Sequence, residues 1–196
     1  MADAPEITIR RLTPERLDDY LAFFDGPAFA DNPGWAACYC FFPYADEAGI
    51  TDEGGDAFLA RPAEANRAAI IEAITSGRAE GYLAYAGGRV VGWISAGPRA
   101  RYPRLAALPG DSARTGVTPC FTIDPEWRRR GIARRLLETA IDGQRTDGMV
   151  RLEAGPYTSP GDDAHRYKGT IEFYESVGYE RVADLPGGVT LMQRDL

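Results

Sequence analysis

Apolar positions along this chain recur with two different periods, and their order predicts an α/β protein. Residues Glu6 to Leu12 alternate, with Ile7 and Ile9 on one side, and predict a first strand. Thr13, Pro14 and Glu15 then offer an N-cap, a proline at the first helical position and an early acid. Leu17, Tyr20, Leu21 and Phe24 follow on one helical face until Gly26-Pro27 stops the run. From Ala28 to Gly55 the periodicity is lost. Pro33, Gly34, Pro43, Gly49 and Gly54-Gly55 break up an aromatic stretch from Trp35 to Tyr44, so an irregular segment with at most one short strand is expected. A second helix begins at Pro62, turns Ile70, Ile71 and Ile74 inward and ends at Gly77.

Two strand-like runs, Gly81 to Ala86 and Arg89 to Gly97, are joined by Gly87-Gly88 and predict a β-hairpin. A loop punctuated by Pro98, Pro103, Pro109 and Gly110 comes next. Proline is tolerated at a strand's first residue but not in its middle, which places the start of the following strand near Cys120. That strand turns at Asp124-Pro125 and passes into a helix whose apolar side is Ile132, Ala133, Leu136, Leu137, Ala140 and Ile141. A strand from Met149 to Glu153 and a polar loop from Pro156 to Gly169 follow. Thr170 caps a short helix with Ile171, Tyr174 and Val177 on one side, Gly178 ends it, and Tyr179–Val182 and Val189–Met192 are the last two strands. The order β-α-α-β-β-β-α-β-α-β-β implies one mixed sheet, and 196 residues are enough for one domain spanning 1–196.

Charge adds what periodicity cannot. The formal net charge is −7, which argues against a general nucleic-acid or anionic-membrane binder, because phosphate neutralisation needs a basic face. Against that background Arg128, Arg129 and Arg130 cluster at the start of a helix, where the macrodipole is positive and acids are favoured. Each misplaced charge costs roughly 0.3–1 kcal/mol unless an anion offsets it. An anion is therefore expected there. The first residues, Met-Ala-Asp-Ala-Pro-Glu, have no basic and apolar leader pattern, and no run has the length of a membrane span, so a cytoplasmic location is expected. With no export signal, the three cysteines Cys38, Cys40 and Cys120 are expected as reduced thiols packed among aromatics. The Cys38-x-Cys40 spacing fits no common zinc motif, and no metal is expected.

Arg128-x-x-Gly131-x-Ala133, between a strand ending Ile-Asp-Pro and an amphipathic helix, resembles the acyl-CoA-binding signature of the GNAT superfamily of N-acyltransferases. Phe173-Tyr174-Glu175-Ser176-Val177-Gly178-Tyr179 resembles the later motif of the same superfamily, and the two are separated by one strand and one loop. The close match covers Cys120 to Tyr179. The resemblance implies a single-domain GNAT-like α/β fold, a mixed central sheet with helices on both faces, and acetyl-CoA as co-substrate. It further implies that the N–H groups of Arg129, Arg130, Gly131, Ile132, Ala133 and Arg134 cradle the pyrophosphate, helped by the arginine side chains. The backbone of Phe121, Thr122 and Ile123 would pair with the pantetheine arm. Unpaired N–H groups at a helix start are suited to that task on physical grounds alone.

Acyl transfer from a thioester needs a neutral nucleophile, donors for the oxyanion and an acid for the thiolate. Tyr174 matches the position where the family often places the acid, and a phenol of pKa about 10 is protonated at neutral pH. A backbone N–H of the Phe121–Ile123 strand is the expected oxyanion donor. Glu153 is the first candidate base, equally readable as a strand-end carboxylate paired with an arginine, with Asp124, Asp162, Asp163 and His165 behind it and a water chain as the alternative. Where the family commonly has an asparagine, seven residues before the tyrosine, this chain has Tyr167. The expected activity is acetyl transfer to a primary amine of a small molecule or peptide by a monomer or homodimer. The competing reading is a non-catalytic acyl-CoA-binding module.

Overall fold

Residues 5–45, 61–106, 108–159 and 164–196 are described by the computed structural model, without the side chains of residues 164 and 165. Its strands are β1 (Ile7–Arg11), β2 (Gly81–Ala86), β3 (Arg89–Pro98), β4 (Thr115–Ile123), β5 (Arg151–Ala154), β6 (Glu180–Leu185) and β7 (Val189–Asp195). They form one seven-stranded sheet in the order β1-β2-β3-β4-β5-β7-β6. Every pairing is antiparallel except that of β4 with β5. The helices are α1 (Leu17–Phe24), α2 (Ala63–Thr75), a single turn α3 (Pro103–Ala106), α4 (Ile132–Thr146) and α5 (Ile171–Glu175). No helix among the described residues is long and apolar enough to cross a membrane.

The sheet carries a core on each face because alternate residues of its strands point to opposite sides. Leu83 and Tyr85 of β2 pack with Tyr20, Phe23 and Phe24 of α1 and with Ile70 and Ile74 of α2. Tyr82 and Ala84 join Leu136, Leu137, Ala140 and Ile141 of α4 on the other face. Each fully buried Leu, Ile or Phe contributes roughly 1.5–3 kcal/mol. Close approach of α4 depends on Gly92 of β3, where a Cβ would stand 2.8 Å from the Ile123 side chain and 3.2 Å from that of Ile132.

Three expectations are corrected. Pro119 lies inside β4 rather than before it. Two residues, Thr118 and Pro119, oppose the single Ala96 of β3 in a bulge, and β5 pairs only as far as Val117. A missing N–H therefore forfeits no ladder bond at that point. Thr13 caps no backbone N–H; its hydroxyl accepts from Arg16 instead, at 2.8 Å. The cysteines are not all reduced: Cys40 and Cys120 form a disulfide across 80 residues of sequence, and Cys38 alone is free. Residues 28 to 45 are a chain of 3-10 turns with no strand, and the rest of that segment lies outside the described residues up to position 60.

Candidate active site

Beyond Val117 the strands β4 and β5 part, and the register of β4 against β3 determines which of its backbone groups face the opening. Asp124 donates its N–H to the Val91 carbonyl at 3.0 Å, so in this antiparallel ladder the pairs Thr122–Trp93 and Cys120–Ser95 exchange hydrogen bonds as well. Phe121 and Ile123 are the intervening residues. Their N–H and C=O groups point away from β3, into the gap that β5 has left. Of the three residues expected to meet an extended ligand, two thus present an open strand edge, while Thr122 turns its backbone inward.

At its far end the edge runs into the start of α4. Asp124 holds the turn by accepting from the Glu126 N–H at 3.0 Å. Arg129 and Gly131 both have left-handed backbone, with φ of 60° and 76°. The glycine is needed for that conformation and not for space, since nothing lies within 4 Å of where its Cβ would be. Left-handed residues in such a turn bring neighbouring N–H groups toward one concave side, a geometry that receives anions. The first helical carbonyl to be used is that of Gly131, by the N–H of Arg135. Among the described residues, the N–H groups of Arg129, Arg130, Gly131, Ile132, Ala133 and Arg134 have no backbone acceptor.

The arginine side chains are less free than the sequence suggests. Arg128 donates through Nη1 and Nη2 to Asp31, at 3.0 Å for the second bond, and through Nε to the Ile123 carbonyl at 3.3 Å. Arg130 lies over the Trp127 ring, 4.7 Å from its centre, and donates to the Glu126 carbonyl. Arg134 donates to the Ser176 hydroxyl at 2.7 Å. Arg129 is exposed and has no side-chain partner among the described residues. A cleft of about 620 Å³ follows the open edge. Phe121, Thr122, Ile123, Arg128, Arg129 and Ala133 line it from the sheet and α4, and Phe29, Asp31, Asn32 and Trp35 from the N-terminal turns; Arg166, Tyr167 and Phe173 face them.

The two expected catalytic residues lie off this cleft. Tyr174 is fully buried between Phe121, Phe173 and Tyr179, and its hydroxyl shares a 3.2 Å hydrogen bond with that of Thr118, the first residue of β4 beyond its pairing with β5. Burial pushes the phenol well above its usual value, partly offset by the Thr118 bond. Glu153 has both oxygens engaged, one by buried Arg99 at 2.9 Å and the other by Gln193 at 3.0 Å. Asp124 accepts from Glu126 and from Arg89 at 3.4 Å. Asp162, Asp163 and the His165 side chain lie outside the described residues. Sequence reasoning missed Asp31, the one carboxylate among the described residues lining the cleft. No motif marks it; it reaches the site by pairing with an arginine 97 positions away.

Comparison with known proteins agrees with this geometry. The family model for the acetyltransferase (GNAT) domain matches residues 77–181, more than half of the chain. No curated protein matches it. Among solved structures, the chain resembles the paia N-acetyltransferase of Thermoplasma acidophilum in complex with coenzyme A, with 14% identity, a TM-score of 0.59, and 97% of this chain and 99% of that one covered. An N-acetyltransferase of Staphylococcus aureus Mu50 gives 16% identity and a TM-score of 0.59 over 97% and 98% of the two chains. The ribosomal-protein-alanine N-acetyltransferase of Brucella melitensis gives 21% and 0.54 over 96% and 99%. At these identities the structures establish a shared fold, and the match to the family model establishes the family: the chain belongs to the GNAT acetyltransferases, acyltransferases that draw their acetyl group from acetyl-CoA.

Proposed function

We propose that this chain transfers an acetyl group from acetyl-CoA to a primary amine of a small molecule or peptide. The observation that carries the reading is the continuity of one cleft from the open edge of β4 to the unpaired N–H groups at the start of α4. A pantetheine arm has amides to pair with the edge groups of Phe121 and Ile123. A diphosphate has oxygens for the N–H groups of Arg129 to Arg134, and the Arg129 side chain adds a cation. The residues present therefore fit the co-substrate at both ends.

The thioester supplies an activated acetyl carbon. Attack by a neutral amine forms the C–N bond and breaks the C–S bond. The oxyanion that develops between these events is held by an edge N–H, from Phe121 or Ile123. The thiolate takes its proton from Tyr174, whose hydroxyl meets β4 at Thr118, where the strands part. Glu153 is held in its ion pair, so the proton shed by the amine passes to water in the cleft. One observation favours the non-catalytic reading: the Tyr174 hydroxyl is enclosed and does not border the cleft. Release of free thiol from acetyl-CoA across a panel of primary amines decides between them. Thiol release with formation of an acetylated amine is expected. Thermal stabilisation by acetyl-CoA with no release for any amine would replace the enzyme by a binding module.

A further inference from the structure

The carboxylate of Asp31 and the guanidinium of Arg128 meet across the mouth of the cleft, joining the N-terminal turns to the loop before α4. Asp31 stands between the 3-10 turns Pro27–Phe29 and Pro33–Cys38, with Phe29, Asn32 and Trp35 beside it in the cleft lining. Arg128 rests its Nε on the Ile123 carbonyl, one of the groups on the open edge of β4. The pair thus covers the same edge and adjoins the same N–H groups that would hold acyl-CoA. It is also easy to exchange. The two side chains are 30% and 41% exposed, and ion pairs so exposed contribute little net stability. A diphosphate offers several oxygens and more than one charge to a guanidinium that lies beside unpaired N–H groups. Once Arg128 has turned to it, Asp31 loses its only ion pair among the described residues. A carboxylate next to the half-buried rings of Phe29 and Trp35 is chemistry that recognises an ammonium group.

We propose that Asp31 and Arg128 form a latch that the diphosphate of acyl-CoA displaces, and that the released Asp31 then receives an ammonium group of the acceptor other than the neutral amine that is acetylated. The inference rests on the reading of the cleft as the acetyl-CoA site. Asp31 is then a specificity residue with opposite effects on the two substrates. In the empty protein it competes for Arg128 and weakens acyl-CoA binding; in the loaded protein it draws in a cationic amine.

The test titrates coenzyme A into the wild type, Asp31→Asn, Arg128→Ala and the double variant by calorimetry. The wild type, Asp31→Asn and Asp31→Glu are then assayed with acetyl-CoA and spermidine or a peptide carrying two lysines. Asp31→Asn should bind coenzyme A at least about threefold more tightly, and the gain should vanish when Arg128 is already alanine. Its KM for the amine should rise about tenfold or more with kcat nearly unchanged, and Asp31→Glu should restore most of the loss. A residue that only braced the fold would not move the two affinities in opposite directions. Unchanged coenzyme A affinity in Asp31→Asn, or an unchanged amine KM, overturns the latch while leaving the acetyltransferase reading intact. A wild type that binds no coenzyme A, or acetylates no amine of the panel, overturns the latch together with the reading on which it rests.

Discussion

Tyr174 shows what a motif conveys about a residue and what it omits. Its place four residues before Gly178 was legible from the sequence, as was the helix that carries it, capped by the Thr170 hydroxyl on the Phe173 N–H at 3.2 Å. Its enclosure was not, because burial depends on Phe121 and Phe173, which close over it from two elements. Burial raises the phenol's pKa, which keeps it protonated but also makes it a weaker acid toward a thiolate, and its hydroxyl is engaged with that of Thr118. Tyr174→Phe separates donor from packing residue. As a proton donor its loss lowers kcat by about 10²–10⁴ and leaves coenzyme A affinity nearly unchanged. As a packing residue its loss removes one buried hydrogen bond, worth about 1 kcal/mol, and leaves turnover alone. Steady-state kinetics beside a coenzyme A titration and a denaturant melt distinguish the two. Glu153 teaches the complementary lesson: in sequence a strand-end carboxylate reads equally as a base or as an arginine's partner, and Arg99, 54 residues earlier, makes it half of a buried ion pair.

At the scale of elements, what the sequence revealed is what neighbours along the chain determine. The hairpin at Gly87-Gly88 and the strand-turn-helix around Gly131 are local, and both stand where periodicity and turn residues put them. Pro119 was misplaced because a bulge is a property of two strands, visible only once Ala96 opposes it. The disulfide was missed for the same reason: counting cysteines against an export signal says nothing of two residues 80 positions apart. That bond ties the turns bearing Trp35 to β4 beside Phe121. Tyr39 and Cys40 hold left-handed backbone there, with φ of 46° and 51°, a conformation that β-carbon sterics penalise. The Tyr20 hydroxyl on the Tyr39 carbonyl, at 2.6 Å, and the covalent link hold the turn in place. Reduction with dithiothreitol, or Cys40→Ala, should lower unfolding stability by about 2–4 kcal/mol, and the variant should no longer respond to reductant. Peptide mapping without reductant should recover Cys40 joined to Cys120 with Cys38 free. Identical melts with and without reductant, and three free thiols, would return the turn to noncovalent support.

Across the whole molecule, two cores on opposite faces of one sheet bury several phenols, and these set an alkaline limit. Tyr20, Tyr44, Tyr102, Tyr174 and Tyr179 all have pKa values raised above 10.0, with desolvation the leading cause in each. The Cys38 thiol is raised from 9.0 for the same reason. In the unfolded chain these groups ionise near their ordinary values; in the folded chain they keep their protons to higher pH. Above those ordinary values the unfolded state therefore binds fewer protons than the native state, and stability falls as pH rises. Below them both states are protonated and the groups make no difference. The melting temperature, followed by circular dichroism at constant ionic strength, should be insensitive to these groups up to about pH 8.5, begin to fall near pH 9 and drop more steeply beyond about pH 10. Tyr44→Phe should flatten the steep limb, because it removes one buried phenol whose hydroxyl, among the described residues, meets Ser95, Tyr102 and the Glu80 backbone. A melting temperature that holds constant to about pH 11 would mean that the phenols exchange protons with solvent in the native state, and that the two cores are more open than their packing implies.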